Sequence, residues 1–407
     1  MLEKSHFDVT VVGAGIAGSA LAVALSGNGL SVLLLEAQPL AANAPEPATG
    51  VAGFDARVSA LTPRSQSLLE QLGVWPSIVG QRLCPYTHMT VWDAEGTGMI
   101  EFDCGEVDVP VLGHIVENRV IVSALIEQVR RCPDITLLNP VRLSDCRALE
   151  AEATGYSVDL DNGTVITTDL LVAADGALSR VREMLDFKTR EWDYGHRAIV
   201  TTVQLENAHQ GTAWQRFLPS GPLAFLPLPG TPTDHYCSIV WSVDEDVADD
   251  LMALDTAAFC EQLQQAFEAR LGTVITCSER FCFPLRQRHA VDYVQSGIAL
   301  VGDAAHTIHP LAGQGINLGL ADVLVLAEEL IAESARGGNL GSLESLKRYQ
   351  RRRKGENLAM MAAMDGFKYL FAQRALPIRW LRNAGMRSVG RAGMLKKQLM
   401  RHAMGLG

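Results

Sequence analysis

The eight cysteines, at 84, 104, 132, 146, 237, 260, 277 and 282, form no CxxC pair and accompany no HxxxH spacing. That removes the usual zinc and dithiol frameworks, and scattered thiols of this kind suit a reducing compartment. Cys277 and Cys282, the nearest pair, fall in a strand-like stretch and read as packing. No uninterrupted apolar run reaches the roughly 18 residues of a membrane span. The oiliest candidate, Leu318 to Ala332, is broken by Asp322, Glu328 and Glu329. At the N-terminus glycines follow a short apolar run where a longer hydrophobic region and cleavage site would stand, so no signal peptide is expected. The expected location is cytoplasmic, reaching at most the inner face of the cytoplasmic membrane. Positive charge is in deficit, with a net charge of −11, which argues against a nucleic-acid partner. No nucleophilic Ser or Cys triad, paired carboxylates or metal-ligand spacing is present, so neither covalent nor metal catalysis is indicated.

At 407 residues, 48% hydrophobic and 20% charged, the chain reads as an ordinary globular protein of two domains or one large interleaved one. Phe7 to Val12 is an apolar strand, and Gly13-Ala14-Gly15-Ile16-Ala17-Gly18 is a complete GxGxxG opening an Ala/Leu-rich helix. A second strand, Ser31 to Leu35, ends on Glu36. In such a unit Gly13 turns tightly, Gly15 lets backbone approach a pyrophosphate, Gly18 lets helix pack on strand, and the acid takes ribose hydroxyls. By itself the unit does not separate FAD from NAD. Strand-to-anion logic recurs twice. Leu170 to Ala174 runs into Asp175-Gly176 and a helix start carrying Ser179 and Arg182. Ile298 to Val301 runs into Gly302-Asp303, ahead of a Gly-rich turn at Gly313 and Gly315 and a helix from Ile316. Taken singly, those glycines also fit a strand-to-helix corner that only relieves crowding. No second strand-GxGxxG-helix unit follows, which points away from reductases with a separate nicotinamide domain.

The stretch Val301 to Gly319, VGDAAHTIHPLAGQGINLG, resembles the second FAD motif of the single-component aromatic flavin hydroxylases, the fold shared with p-hydroxybenzoate hydroxylase. The whole chain is similar to the ubiquinone-biosynthesis hydroxylases of aerobic bacteria, especially the branch acting on a polyprenylphenol. The resemblance implies an α/β fold: a Rossmann-like FAD-binding domain, an inserted, mainly antiparallel substrate sheet and a C-terminal helical segment. It places Asp303 on the ribityl chain and Pro310, Gly313, Gln314, Gly315 and Asn317 against the isoalloxazine. It also assigns FAD contacts to Arg57 and Arg119, and the Asp175 to Arg182 segment to the FAD pyrophosphate and the docking of NAD(P)H. The implied reaction inserts one atom of O2 into a phenol ring through a flavin C4a-hydroperoxide, with C5 of the ring as the expected position and C1 or C6 as alternatives. A non-hydroxylating oxidoreductase, such as an isoprenoid reductase, and an FAD-dependent scaffold remain as other readings.

From the residues alone, Arg57 is equally a solvated charge. Arg119 opens a helix, where the dipole repels a cation unless an anion sits nearby. His306 and His309 flank the flavin motif without a carboxylate partner in sequence, and with Pro310 they are the only candidates for a catalytic group. The FAD-binding domain is expected over 1–75, 105–186 and 284–335, the substrate domain over 76–104 and 187–283, and a helical, basic tail over 336–407. Phe217, Leu223, Phe225 and Trp241 are candidates to line the substrate chamber, although aromatics at strand spacing are usually core. After Asp365 there is no acid but nine Lys or Arg, so a total of −11 leaves −20 for the preceding chain. Such a tail suits a membrane surface or a partner in a multiprotein assembly, as well as packing against the acidic body. A homo-oligomer stays open.

Overall fold

The computed structural model describes residues 4–40, 50–149, 155–230, 235–307, 315–373 and 375–406, except for the side chains of residues 368, 372 and 391. Three sheets organise them. In the first, Ile298–Leu300, Val165–Ala173, His6–Val12, Val32–Leu35 and Ile135–Leu138 lie side by side in parallel. Their apolar runs suit strands buried on both faces, and helices Ile16–Leu25, Asn118–Arg131 and Gly315–Ala335 supply residues to the same core. An antiparallel meander, Leu143–Ala148 with Tyr156–Leu160, extends the sheet beside Val165–Ala173.

The second sheet has nine strands and is antiparallel except where Thr212–Leu218 runs parallel to His88–Asp93. Its longest member, Thr189–Leu205, begins well before its apolar half at 198–205. Residues 189–196 are mostly exposed and polar, yet they pair with Phe281–Ala290, so ladder hydrogen bonds and not burial define that half. One face of this sheet is covered by helices Glu245–Ala253 and Thr256–Ala266, around a core containing Leu223, Phe225, Ile239 and Phe259. The other face meets the third sheet, Val58–Leu61, Gly113–Glu117 and Cys84–Tyr86, through Ala60, Ile115, Ala213, Ala224 and Leu226. This alternation is the two-residue period of a strand.

The helix Leu343–Ala372 packs along Gly315–Ala335, and Leu376–Arg391 crosses the strand Met99–Asp103. Its anchor is a buried fork: Arg382 donates from Nε and Nη2 to the two carboxylate oxygens of Asp93, both at 2.8 Å, and Asn383 adds a third bond to Asp93. Arg379 pairs with Glu95, and Lys396 of the last helix, Gly393–Ala403, pairs with Glu106. Half of the tail's described cations are therefore spent on acids of the hairpin 88–103 and the short turn after it. No helix among the described residues is long and apolar enough to cross a membrane.

Candidate active site

Three strand ends of the parallel sheet deliver the site. At the first, Gly13 continues the ladder by donating to the Leu35 carbonyl at 2.8 Å, with φ at +103°, and a Cβ there would lie 2.5 Å from the Ala174 carbonyl oxygen. A Cβ on Gly18 would meet the Gly13 carbonyl oxygen at 1.9 Å, so the fold itself requires glycine at both positions. Gly15 differs. Its φ is −69°, and nothing lies within 4 Å of a Cβ built on it. It is the N-cap of Ile16–Leu25 and, having no side chain, leaves the first amides of that helix without a side-chain cap. Such an end accommodates a phosphate. Glu36 leans over the same turn, accepting from the Ala14 amide at 2.9 Å and the Gln38 amide at 2.8 Å.

The second strand end joins the first where the Ala174 amide donates to the Val12 carbonyl. Asp175 Oδ2 accepts from the Arg180 and Val181 amides, and Ser179 Oγ from the Arg182 amide, so both cap the short helix Arg180–Met184. Asp175 Oδ1 is buried and finds no partner among the described residues. The Arg182 side chain is buried and braces neighbouring turns, donating to the Ala304 and Ala177 carbonyls at 2.8 Å each. Burial and the nearby Arg288 lower its pKa. Beside this turn lies a cleft of about 670 Å³ whose walls include Lys188, Glu191 and Arg288.

At the third end, Gly302–Ala304 forms a tight turn against the first helix, where a Cβ on Gly302 would lie 3.3 Å from Ala17 and 3.8 Å from Gly319. Asp303 is open to solvent yet crowded by protein. Burial raises its pKa, while His306 and Arg57 oppose the rise. Arg57 itself is exposed, over the Phe283 ring at 5.5 Å. Gly315 begins the helix Gly315–Ala335, and Asn317 in its first turn is fully engaged: it accepts from the Thr62 amide and Ser65 hydroxyl and donates to the Ala60 carbonyl. His309, Pro310, Gly313 and Gln314 lie outside the described residues.

Several expectations change. Arg119 needs no external anion, because the buried carboxylate of Glu117, the N-cap of its own helix, sits 3.0 Å away and Arg82 binds the other oxygen. His306 does have a carboxylate partner: its Nε2 lies 2.6 Å from Asp322, which also accepts from the Gly302 amide, Arg353 and Asn357. Burial works against the Asp322 carboxylate, but His306 and Arg353 outweigh it and hold its pKa below the usual value. All three side chains are essentially inaccessible, which suits holding the flavin turn and not exchanging protons with a substrate. The sequence held one signal of this cluster, an aspartate inside the apolar stretch 318–332. Leu223, Phe225 and Trp241 belong to the helix-covered core, with Phe225 stacked on Phe267 at 3.7 Å, and Phe217 stacks on Phe371 at 3.8 Å. The opposite strand parity faces the third sheet. There the half-buried Phe54, Met89, Tyr236 and Val240 surround Ala213, Ala224 and Leu226. Among the cysteines, the fold brings Cys260 and Cys277 together, not Cys277 and Cys282.

The clearance at Gly15, an uncapped helix start, an Asp175 oxygen without a partner among the described residues and an accessible Asp303 fit the pyrophosphate and polyol of FAD. Around them stands the fold of a class A FAD-dependent monooxygenase. Among solved structures, p-nitrophenol 4-monooxygenase PnpA from Pseudomonas putida DLL-E4 superposes with a TM-score of 0.78 at 18% identity, covering 98% of both chains. PqsL, a probable FAD-dependent monooxygenase from Pseudomonas aeruginosa, gives 0.75 at 23%, covering 94% of this chain and 100% of that one. The FAD binding domain family matches residues 6–363. The 3-demethoxyubiquinol 3-hydroxylase of Escherichia coli (strain K12) is 39% identical over 401 residues, 98% of each chain. Ubiquinone hydroxylase UbiL of Rhodospirillum rubrum is 38% identical over 98% of this chain and 89% of that one, and human mitochondrial COQ6, a ubiquinone biosynthesis monooxygenase, 34% over 98% and 92%. The chain belongs to the ubiquinone-biosynthesis hydroxylase family of FAD-dependent monooxygenases.

Proposed function

We propose that this protein hydroxylates the aromatic ring of a polyprenylphenol in ubiquinone biosynthesis. One atom of O2 enters the ring, the other leaves as water, and NAD(P)H is oxidised. The observation that carries this reading is near end-to-end similarity to three hydroxylases named for this pathway, on a chain whose three nucleotide turns converge. The amides after Gly15, together with Glu36, hold the pyrophosphate and ribose of FAD, and Asp303 and Arg57 hold its ribityl and phosphate side. Arg119 borders the same site while tied to Glu117. By the family resemblance, Pro310, Gly313, Gln314, Gly315 and Asn317 are the residues that would contact the ring system. When bound, FAD supplies the activation of O2 and the transfer of one oxygen.

The residues of this chain orient and exclude. Ala213, Ala224 and Leu226, packed against the third sheet, back an apolar wall that would keep water from the reacting ring, with Tyr236 and Phe54 at its edge. An electron-rich phenol needs no protein nucleophile, in keeping with a His306 locked on Asp322. The cleft beside Asp175 and Arg182, with Lys188 and Arg288, receives the nicotinamide nucleotide. For the ring position we favour C5, with C1 and C6 as alternatives; the Escherichia coli relative is named a 3-hydroxylase. Each five-carbon isoprenoid unit is worth about 3 to 4 kcal/mol in a bilayer, so the substrate is collected at the cytoplasmic membrane face or from a lipid-handling assembly.

The test is deletion of the gene in an aerobic host, with mass analysis of the quinone precursor that accumulates. Purified enzyme under labelled O2 should yield product carrying one labelled oxygen. A precursor missing a ring hydroxyl other than that at C5 corrects the position, and a product that gains hydrogen without labelled oxygen replaces the hydroxylase by an isoprenoid reductase.

A further inference from the structure

We infer that the outward face of the last two helices, Leu376–Arg391 and Gly393–Ala403, is a docking surface for an anionic lipid bilayer. On the first, Arg382, Asn383 and Met386 point into the protein, while Leu376, Trp380 and Leu381 are 74%, 67% and 62% exposed. On the second, Lys396 and Met400 are buried, while Met394 is 81% exposed and Leu395 and Leu399 about half exposed. Water-facing apolar residues on this scale mark a surface built to be covered.

The charges decide by what. Arg379, Arg382 and Lys396 are neutralised inward by Glu95, Asp93 and Glu106. Arg387, Lys397 and Arg401 remain exposed, and no acid follows Asp365 in the chain. Packing has thus sorted the tail into paired inner cations and a purely positive, apolar outer face. Helices with Trp and Leu beside Lys and Arg settle in the headgroup layer, where anionic lipid attracts each cation. A twofold contact between two copies of these helices would bring like charges together, since the helices themselves carry no acid, so the charge pattern favours a bilayer over a second copy. The same last helix ends on a cavity of about 450 Å³ whose walls mix Leu68, Leu318, Leu324 and Met360 with the charged Arg64 and Glu356. The docking deepens the proposed use of a lipid-borne phenol, but its test needs no substrate.

FAD-loaded protein is floated with vesicles of phosphatidylcholine alone or mixed equally with phosphatidylglycerol. We expect binding to the anionic vesicles to be stronger by roughly tenfold or more and to weaken in high salt. Trp380 emission should shift to the blue, a change absent from Trp380→Phe. Leu381→Ser with Met394→Ser, and separately Lys397→Glu with Arg401→Glu, should each cut binding by about tenfold while FAD content stays unchanged. Equal binding to both vesicles, or binding that both variants retain, overturns the proposal. So does a concentration-dependent dimer that the same substitutions dissolve, because the surface then belongs to a second copy. Vesicle binding without phenol hydroxylation upholds docking and overturns only the reaction proposed above.

Discussion

Replacing Gly15 with Val separates what the cofactor demands from what the fold demands. A Cβ at Gly15 meets nothing within 4 Å, and its φ of −69° is open to any residue. Loss of glycine at an N-cap costs up to about 1 kcal/mol, and the stiffer unfolded chain returns roughly 0.4 to 1 kcal/mol. The apoprotein should therefore change in stability by less than about 1 kcal/mol. Gly18→Ala is the control in the same motif, since its new methyl would lie 1.9 Å from the Gly13 carbonyl oxygen. Overpacking of that kind costs about 1 to 3 kcal/mol or more. For FAD the order reverses: Val at position 15 blocks amides that would each bond a charged phosphate, at about 1.5 to 3 kcal/mol apiece. Losing even two predicts at least a hundredfold weaker binding, roughly 2.7 kcal/mol or more. The assay is thermal unfolding of flavin-stripped protein, followed by titration with FAD through quenching of its fluorescence. If Gly15→Val lowered the apoprotein midpoint as far as Gly18→Ala, or bound FAD normally, the assignment of this turn to the pyrophosphate would be wrong.

Arg57→Ala should weaken FAD binding and leave the apoprotein midpoint nearly unchanged, because Arg57 is exposed and its contacts among the described residues are the Phe283 ring face and the field of Asp303. Arg119→Ala should lower the apoprotein midpoint by the equivalent of about 1 to 3 kcal/mol, since it strips one of two cations from the buried Glu117; an unchanged midpoint would refute that structural role. Asp322→Asn takes the buried one of Arg353's two carboxylates, leaving Glu356, and also unpairs His306, so it should destabilise by about 1 to 3 kcal/mol in urea unfolding. Stability should also fall with acid. Burial, then His306 and neighbouring cations, lower the pKa of His289 to about 4, so the unfolded chain takes up a proton first. The stabilisation is complete above about pH 6.5 and is lost toward pH 4, by at most about 3 kcal/mol. Asp322, also depressed, adds to the loss below its ordinary carboxylate range. His289→Gln should flatten the upper part of that slope, and an unaltered slope would count against it.

The strand-turn-helix units were legible because their determinants are local. Gly13 and Gly18 answer contacts made within one turn and its neighbouring strand end, and Glu36 closes on the Ala14 amide across a single parallel ladder. The FAD-binding fold and the positions of Asp175 and Asp303 at strand ends therefore follow from sequence pattern, period and spacing. What tertiary structure alone decided is which way each side chain faces and which distant group answers it. The strand Gly221–Leu228 is apolar on both parities, so nothing in its pattern tells that Leu223 and Phe225 meet helices while Ala224 and Leu226 meet the third sheet. The partner of His306 lies 16 residues away, and Asp322 in turn draws on Arg353 a further 31 residues along, brought together by helix packing. The basic tail divides for the same reason. All its cations look alike in sequence, and only the path of the chain past Asp93, Glu95 and Glu106 separates those neutralised inside from those left facing outward, since electrostatic pairing depends on distance in space and not along the chain.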